Sequence, residues 1–249
     1  MDKICCILLN YNLGKMTDSV YEELKPYIDE DIDIVVWDVS DKHNEVSKYV
    51  THFPNDNYYG DNFKEALEEN MTHVKKYDWF VLMSNDVYAF PKKNWLRELA
   101  DSANEAEAHI VTPAFNEDSS HFEHMHKIPD SQFHFVNWVD FPCPMIHRRL
   151  IEPVLKEWTN MLKYGWGIDS LFGIYCYDKE IPIIVNDKIV IKHYREKTFK
   201  EEVDKLSTVQ YCQRASQAEA VFFCDYCGSA FWIKWRDSIR NEIVSVVCE

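Results

Sequence analysis

The tripeptide Ser84-Asn85-Asp86 closes an unbroken apolar run, Trp79-Phe80-Val81-Leu82-Met83. A run this short, aromatic and β-branched, suits a strand buried on both faces. A carboxylate at the C-terminal end of such a strand lies at the rim of an α/β sheet, where ligands bind. Asp86 there would hold a divalent cation, because Mg²⁺ and Mn²⁺ prefer oxygen ligands. The plainer use of Asn85 and Asp86 is an Asx-turn that ends the strand. Two earlier apolar stretches also end in polar residues, Ile4 to Leu9 at Asn10-Tyr11-Asn12 and Ile34-Val35-Val36-Trp37 at Asp38. Later, the glycine-rich turn Gly165-Trp166-Gly167 leads to Asp169, and the apolar run from Ile181 to Ile191 leads to His193. An acidic edge, one further carboxylate and one imidazole suit metal-assisted transfer of a phosphorylated substrate. Lys192, Arg195, Lys197 and Lys200 form the one strong basic cluster, which suits a diphosphate if it is more than a solvated face. Each of these residues also has a bland use: Asp169 as a helix cap, Asp38 as a strand end, His193 as a histidine without metal.

The elements that must carry these residues alternate. Lys3 to Asn10 is a strand, Thr17 or Asp18 caps a helix with Val20, Leu24, Tyr27 and Ile28 on its apolar face, and Asp33 to Val39 is a second strand. That spacing is a βαβ unit with a parallel pair. A helix from about Asp61 to His73 precedes the Trp79 strand, and Pro91 suits the first turn of the next helix, with Trp95, Leu96, Leu99, Ala100 and Ala103 buried. Ile110-Val111-Thr112 is a short strand. Residues 114 to 136 lack a period and are expected to cross the sheet face. Val136 to Pro144 is extended, Arg149 to Leu162 helical, Ser170 to Tyr177 helical and Ile181 to Ile191 a strand. Beyond Lys200 only helices are expected. The fold class is α/β with a mostly parallel sheet.

With 249 residues and 46% hydrophobic content, the chain can bury a large core. A formal charge of −15 gives no overall attraction to nucleic acid. No apolar run reaches the length of a transmembrane helix, and the N-terminus turns polar too soon for a signal peptide. Eight cysteines in such a chain are expected as reduced thiols, and the expected location is cytoplasmic. Cys224-Asp225-Tyr226-Cys227 is a lone CxxC, for which Cys212 and Cys248 would be the nearest further zinc ligands; core thiols are the simpler use.

In order and spacing these segments resemble the GT-A fold glycosyltransferases, specifically the inverting family 2 type, over roughly residues 3 to 195. Ile7-Leu8-Leu9-Asn10-Tyr11-Asn12 is similar to that family's first strand and its nucleotide-contacting end. Val35-Val36-Trp37-Asp38-Val39-Ser40 resembles the second strand, Tyr59-Gly60-Asp61-Asn62-Phe63 the glycine-asparagine loop, and Leu82-Met83-Ser84-Asn85-Asp86-Val87 the DxD strand. Gly165-Trp166-Gly167-Ile168-Asp169 resembles the late turn with the catalytic base, and His193 falls where many members place a metal-binding histidine. The chain departs from the pattern at Ser84, which replaces the first Asp of DxD, and at Ile168, which replaces the acidic residue before the base.

The resemblance implies a GT-A type domain over residues 1–199 and a small helical extension over 200–249 packed on it. It implies sugar transfer from a nucleotide-diphosphate donor, UDP-linked by default, to a glycan, glycolipid or other hydroxyl acceptor, with Mn²⁺ or Mg²⁺. Asp169 would be the base, Asp86 and His193 the metal ligands, and Trp166 an acceptor platform. Asn10, Asn12, Asp38, Asn62, Ser84, Asn85 and Arg195 would contact the donor, with Asp38 on its nucleoside half. His121, His124, His126 and His134 match no standard zinc spacing and are expected in an acceptor loop. Three alternatives remain. An inactive GT-A-like binding module is favoured by Ser84. A nucleotidyltransferase is disfavoured by the single glycine in Asn10-Tyr11-Asn12-Leu13-Gly14-Lys15. A transferase acting on hydroxymethylated DNA is disfavoured by the charge.

Overall fold

The computed structural model describes residues 1–40, 45–53, 58–72, 76–88, 90–118, 122–194 and 208–245. The strands are β1 (Ile4–Asn10), β2 (Ile32–Asp38), β3 (Trp79–Ser84), β4 (Val87–Tyr88), β5 (Ile110–Phe115), β6 (Phe133–Val136), β7 (Met145–His147) and β8 (Ile183–His193). They form one sheet in the order β2-β1-β3-β7-β5-β8-β4, with β6 also on β8. The three longest ladders, β1 with β2, β1 with β3 and β5 with β8, are parallel; β7, β6 and β4 pair antiparallel. The fold is a mixed, mostly parallel α/β sheet flanked by helices.

Burial explains the long ladders. Every residue of β1 is buried, as is β3 from Trp79 to Met83, so both strands are covered on both faces. The helices are α1 (Gly14–Leu24), α2 (Tyr59–Met71), α3 (Trp95–Glu105), α4 (Arg148–Glu157), α5 (Ile168–Asp178), α6 (Thr208–Tyr226) and α7 (Ser229–Ser245). Phe222, Phe223, Trp232 and Trp235 of α6 and α7 belong to the same apolar core as the sheet. Among the described residues, no helix is long and apolar enough to cross a membrane.

Helix starts depart most from expectation. α1 begins at Gly14, so Thr17 and Asp18 lie inside it and bond elsewhere: Thr17 to Asn10, and Asp18 to the Ser47 hydroxyl and Lys48 N–H. α3 begins after Asn94, whose side chain accepts from the Arg97 N–H, and Pro91 lies upstream. α2 starts earlier than expected, at Tyr59, because its first turn docks on neighbouring backbone. The Gly60 N–H donates to the Lys163 carbonyl at 2.7 Å, and a Cβ on Gly60 would lie 2.2 Å from the Leu162 carbonyl oxygen. α4 stops at Glu157, short of Leu162.

The stretch from 122 to 136 is anchored rather than loose. Asp187 on β8, fully buried, accepts from the Ile128 N–H at 2.7 Å and faces His134 Nδ1 at 2.9 Å. The other ring nitrogen of His134 lies 2.8 Å from the His124 carbonyl. Burial pulls the His124 imidazole down to about 4, so this histidine is neutral in the folded state. His121 lies outside the described residues. The seven described cysteines are free thiols, and Cys248 is outside the described residues.

Candidate functional site

The parallel registers align three strand ends. Asn10 pairs with Asp38 across β1 and β2, and Leu9 with Ser84 across β1 and β3. Behind this rim lies a closed polar network. Asn10 Nδ2 donates to Asp38 Oδ2 at 2.8 Å, to Ser40 Oγ at 3.0 Å and to the Glu45 carbonyl at 3.0 Å. Asn10 Oδ1 accepts from Thr17 Oγ1, Asn85 Nδ2 and the Leu13 N–H. Asp38 accepts further from the Ser40 N–H at 2.9 Å and the Ser47 N–H at 2.7 Å. Asn10, Asp38 and Asn85 are buried, and the side chains of Asn10 and Asp38 and the Asn85 Nδ2 are engaged within the chain. Asn12 and Ser84 remain partly accessible, and Asn62 is buried in the first turn of α2.

Asp86 behaves differently. After β3 ends, the chain turns and β4 pairs with the end of β8, so that Val87 lies opposite His193. The Tyr194 N–H donates to the Asp86 carbonyl at 2.8 Å, and the Tyr88 and Tyr194 rings stack at 3.8 Å, which fixes the turn. The Asp86 side chain is fully buried, yet neither carboxylate oxygen accepts a hydrogen bond among the described residues. His193 Nε2 lies 3.3 Å from Oδ1. A buried carboxylate without hydrogen bonds is costly unless something else compensates it. One carboxylate and one imidazole suit a divalent cation that also takes substrate oxygens and water. Among the described residues, no group of three or more His, Cys, Asp or Glu could hold a metal. Neither the Cys224/Cys227 pair nor the histidines of 122–136 gathers such a group among the described residues.

The turn before α5 faces this rim through Tyr59. Gly165 and Gly167 have φ of +95° and +84°, a conformation that side chains with a Cβ rarely take. This turn leaves Trp166 39% exposed and places Asp169 in the first turn of α5. α6 braces it: Tyr211 donates to the Tyr164 carbonyl at 2.7 Å, and Phe223 and Glu219 pack against Gly167. Asp169 Oδ1 accepts from the Ser170 N–H at 2.8 Å. Burial, then the nearby Asp140 and Glu219 carboxylates, hold the Asp169 carboxyl well above the usual carboxylate range.

Asp140 and Glu219 were not singled out in the sequence, and neither was Tyr59 as a site residue. Asp140 lies in an irregular stretch and Glu219 in a helix beyond the expected domain, so no local pattern marks either. Arg195, Lys197 and Lys200 lie outside the described residues.

No family model matches the chain, and no curated protein matches it in sequence. Its fold is similar to that in the crystal structure of GalNAc-T7 with UDP, GalNAc and Mn²⁺, at a TM-score of 0.60 and 11% identity. That match covers 96% of this chain and 55% of GalNAc-T7. A mycobacterial protein matches at a TM-score of 0.55 and 12% identity, over 91% of this chain and 75% of that one. The class this defines is an α/β fold of the GT-A type; at such identities the likeness is one of fold.

Proposed function

We propose that the chain is a glycosyltransferase that moves a sugar from a nucleotide-diphosphate donor, UDP-linked by default, to a hydroxyl acceptor with inversion at the anomeric carbon. The observation that carries this reading is Asp86: a fully buried carboxylate at the end of a central strand, without hydrogen bonds among the described residues and 3.3 Å from His193. These two residues would hold Mn²⁺ or Mg²⁺, which supplies neutralisation of the charge on a leaving diphosphate. GalNAc-T7 carries UDP, GalNAc and Mn²⁺ on a similar fold, which supports the same substrate class here.

The chain's own residues divide the work. Asn10, Asp38 and Asn85 hold the rim in place, while Asn12, Ser84 and the first turn of α2 around Asn62 present polar groups to the donor. Arg195 is proposed as a diphosphate contact from its sequence position alone. Asp169 would take the acceptor hydroxyl proton; burial, with Asp140 and Glu219 nearby, raises its carboxyl and so makes the carboxylate a stronger base. Trp166 offers an exposed apolar face on which a sugar ring can lie. A binding module without turnover is the second reading, favoured by the neutral Ser84 hydroxyl where the family carries an acid.

A panel of nucleotide sugars, each with and without Mn²⁺, tests the reading by thermal shift. A ligand at 100 times its Kd stabilises by about 2.7 kcal/mol, or about 5–11 °C for a chain of this size. A shift that needs both Mn²⁺ and one class of donor supports the reading; no shift with any donor refutes it. Release of free sugar, or its transfer, then separates the enzyme from the binding module.

A further inference from the structure

Tyr59 is wedged between the two halves of the site. Its hydroxyl lies 3.4 Å from Ser84 Oγ, on the rim that carries Asp86. Its ring fills the space beside Gly165, where a Cβ would come within 2.5 Å of it, and packs on Phe63 at 4.8 Å. The side chain thus spans from the metal strand to the turn that presents Asp169. Burial raises the phenol above its ordinary range; the Ser84 contact opposes this, and the Asp86, Asp140 and Tyr211 groups add to it. The phenol is therefore neutral, and serves as a hydrogen-bond donor rather than a base. The groups that act on it come from the rim, at Asp86, and from around the turn before α5, at Asp140 and Tyr211.

In a transfer of the proposed kind, the moving sugar must lie between the diphosphate and the base. A group that reaches both sides is placed to touch it there. We propose that Tyr59, paired with Ser84, is a specificity residue that hydrogen-bonds a hydroxyl of the transferred sugar. This rests on the glycosyltransferase reading above. It gives Ser84 a use other than metal ligation: two neutral hydroxyls read a polyol where an acidic side chain would bind a cation. The ribose of the donor has the same vicinal-hydroxyl chemistry, and the test separates the two.

Wild type, Tyr59→Phe and Ser84→Ala are titrated calorimetrically with UDP, UDP-glucose and UDP-N-acetylgalactosamine, all with Mn²⁺. Phe keeps the packing on Gly165 and Phe63, so an unchanged melting temperature certifies the fold. The affinity that wild type gains for UDP-sugar over UDP should fall roughly 10-fold in Tyr59→Phe, the scale of one buried neutral hydrogen bond. UDP affinity should be unchanged. Ser84→Ala should act in the same direction, and the double variant should lose less than the product of the two. If Tyr59→Phe binds UDP-sugar as tightly as wild type, the inference is overturned and the glycosyltransferase reading stands. An equal loss for UDP and UDP-sugar overturns it in favour of ribose. Wild type that binds no nucleotide removes both the reading and the inference.

Discussion

Asp169→Asn exchanges a partly buried carboxylate for its neutral isostere. In the folded chain the ionised carboxylate is disfavoured by burial and by Asp140 and Glu219, against opposing hydrogen bonds from the Ser170 N–H at 2.8 Å and from the Asp169 backbone N–H. Asn keeps the oxygen that accepts the Ser170 bond and removes the charge. The unfolded carboxyl titrates near 3.8, and the folded value lies above it. Between the two values the folded state holds a proton that the unfolded chain has released. The stability of wild type relative to the variant is therefore full below the unfolded value and is lost as pH rises towards the folded one. Within that window the difference falls by up to about 1.4 kcal/mol per pH unit. For a chain of this size this is roughly 3–6 °C of melting temperature per pH unit. Melting curves of both proteins from pH 4.5 to 9 give the difference directly. Asp169→Asn should gain stability relative to wild type across the window, while losing about 10²–10⁴-fold in turnover as expected for a missing general base. Parallel pH curves, or a wild type that gains stability on the variant as pH rises, would refute the electrostatic reasoning. Full turnover in the variant would remove Asp169 as the base.

Asp38→Ala leaves the Ser40 and Ser47 N–H groups without their acceptor behind the rim and removes one of the acceptors of Asn10 Nδ2; urea denaturation should show a loss of about 2–4 kcal/mol, and an unchanged midpoint would show that the network is dispensable. Gly60→Ala drives a Cβ to 2.2 Å from the Leu162 carbonyl oxygen; a cost of about 1–3 kcal/mol is expected from the forced backbone shift, and wild-type stability would mean the α2 start is not tightly docked. Trp166→Ala should raise the acceptor KM with little change in melting temperature or donor affinity, since the ring is 39% exposed; an unchanged acceptor KM would remove the platform role.

The sheet was legible because its central strands announce themselves. Ile4 to Leu9 and Trp79 to Met83 are apolar without a break, which only burial on both faces rewards. The polar strand ends followed from the same pattern, but what those ends do did not. Asn10 and Asp38 look alike in sequence to Asp86, each a polar residue closing an apolar run. Their difference lies in partners far along the chain: Glu45, Ser47 and Asn85 engage Asn10 and Asp38, while the Asp86 carboxylate, among the described residues, faces a ring nitrogen from β8 without accepting a hydrogen bond. β4, which sets that meeting, is two residues long and carries no periodicity. Tyr59, Asp140 and Glu219 reach the turn before α5 from three separate elements, so no local spacing could collect them. Helix starts differ from the sequence pattern for a local reason. Asn94 caps α3 by a side-chain hydrogen bond, whereas the position of Pro91 argued for an earlier start.

The role of Asp86 is tested most directly by titrating UDP into wild type and Asp86→Asn, each with Mn²⁺ and with a chelator, by calorimetry. Asn keeps the size of the side chain and removes the charge that a cation needs. Wild type should bind UDP in a Mn²⁺-dependent manner, and Asp86→Asn should lose that dependence while melting no lower than wild type measured in chelator. Binding of UDP by wild type that is equally tight in chelator, or Mn²⁺-dependent binding that survives in Asp86→Asn, would contradict a cation held between Asp86 and His193.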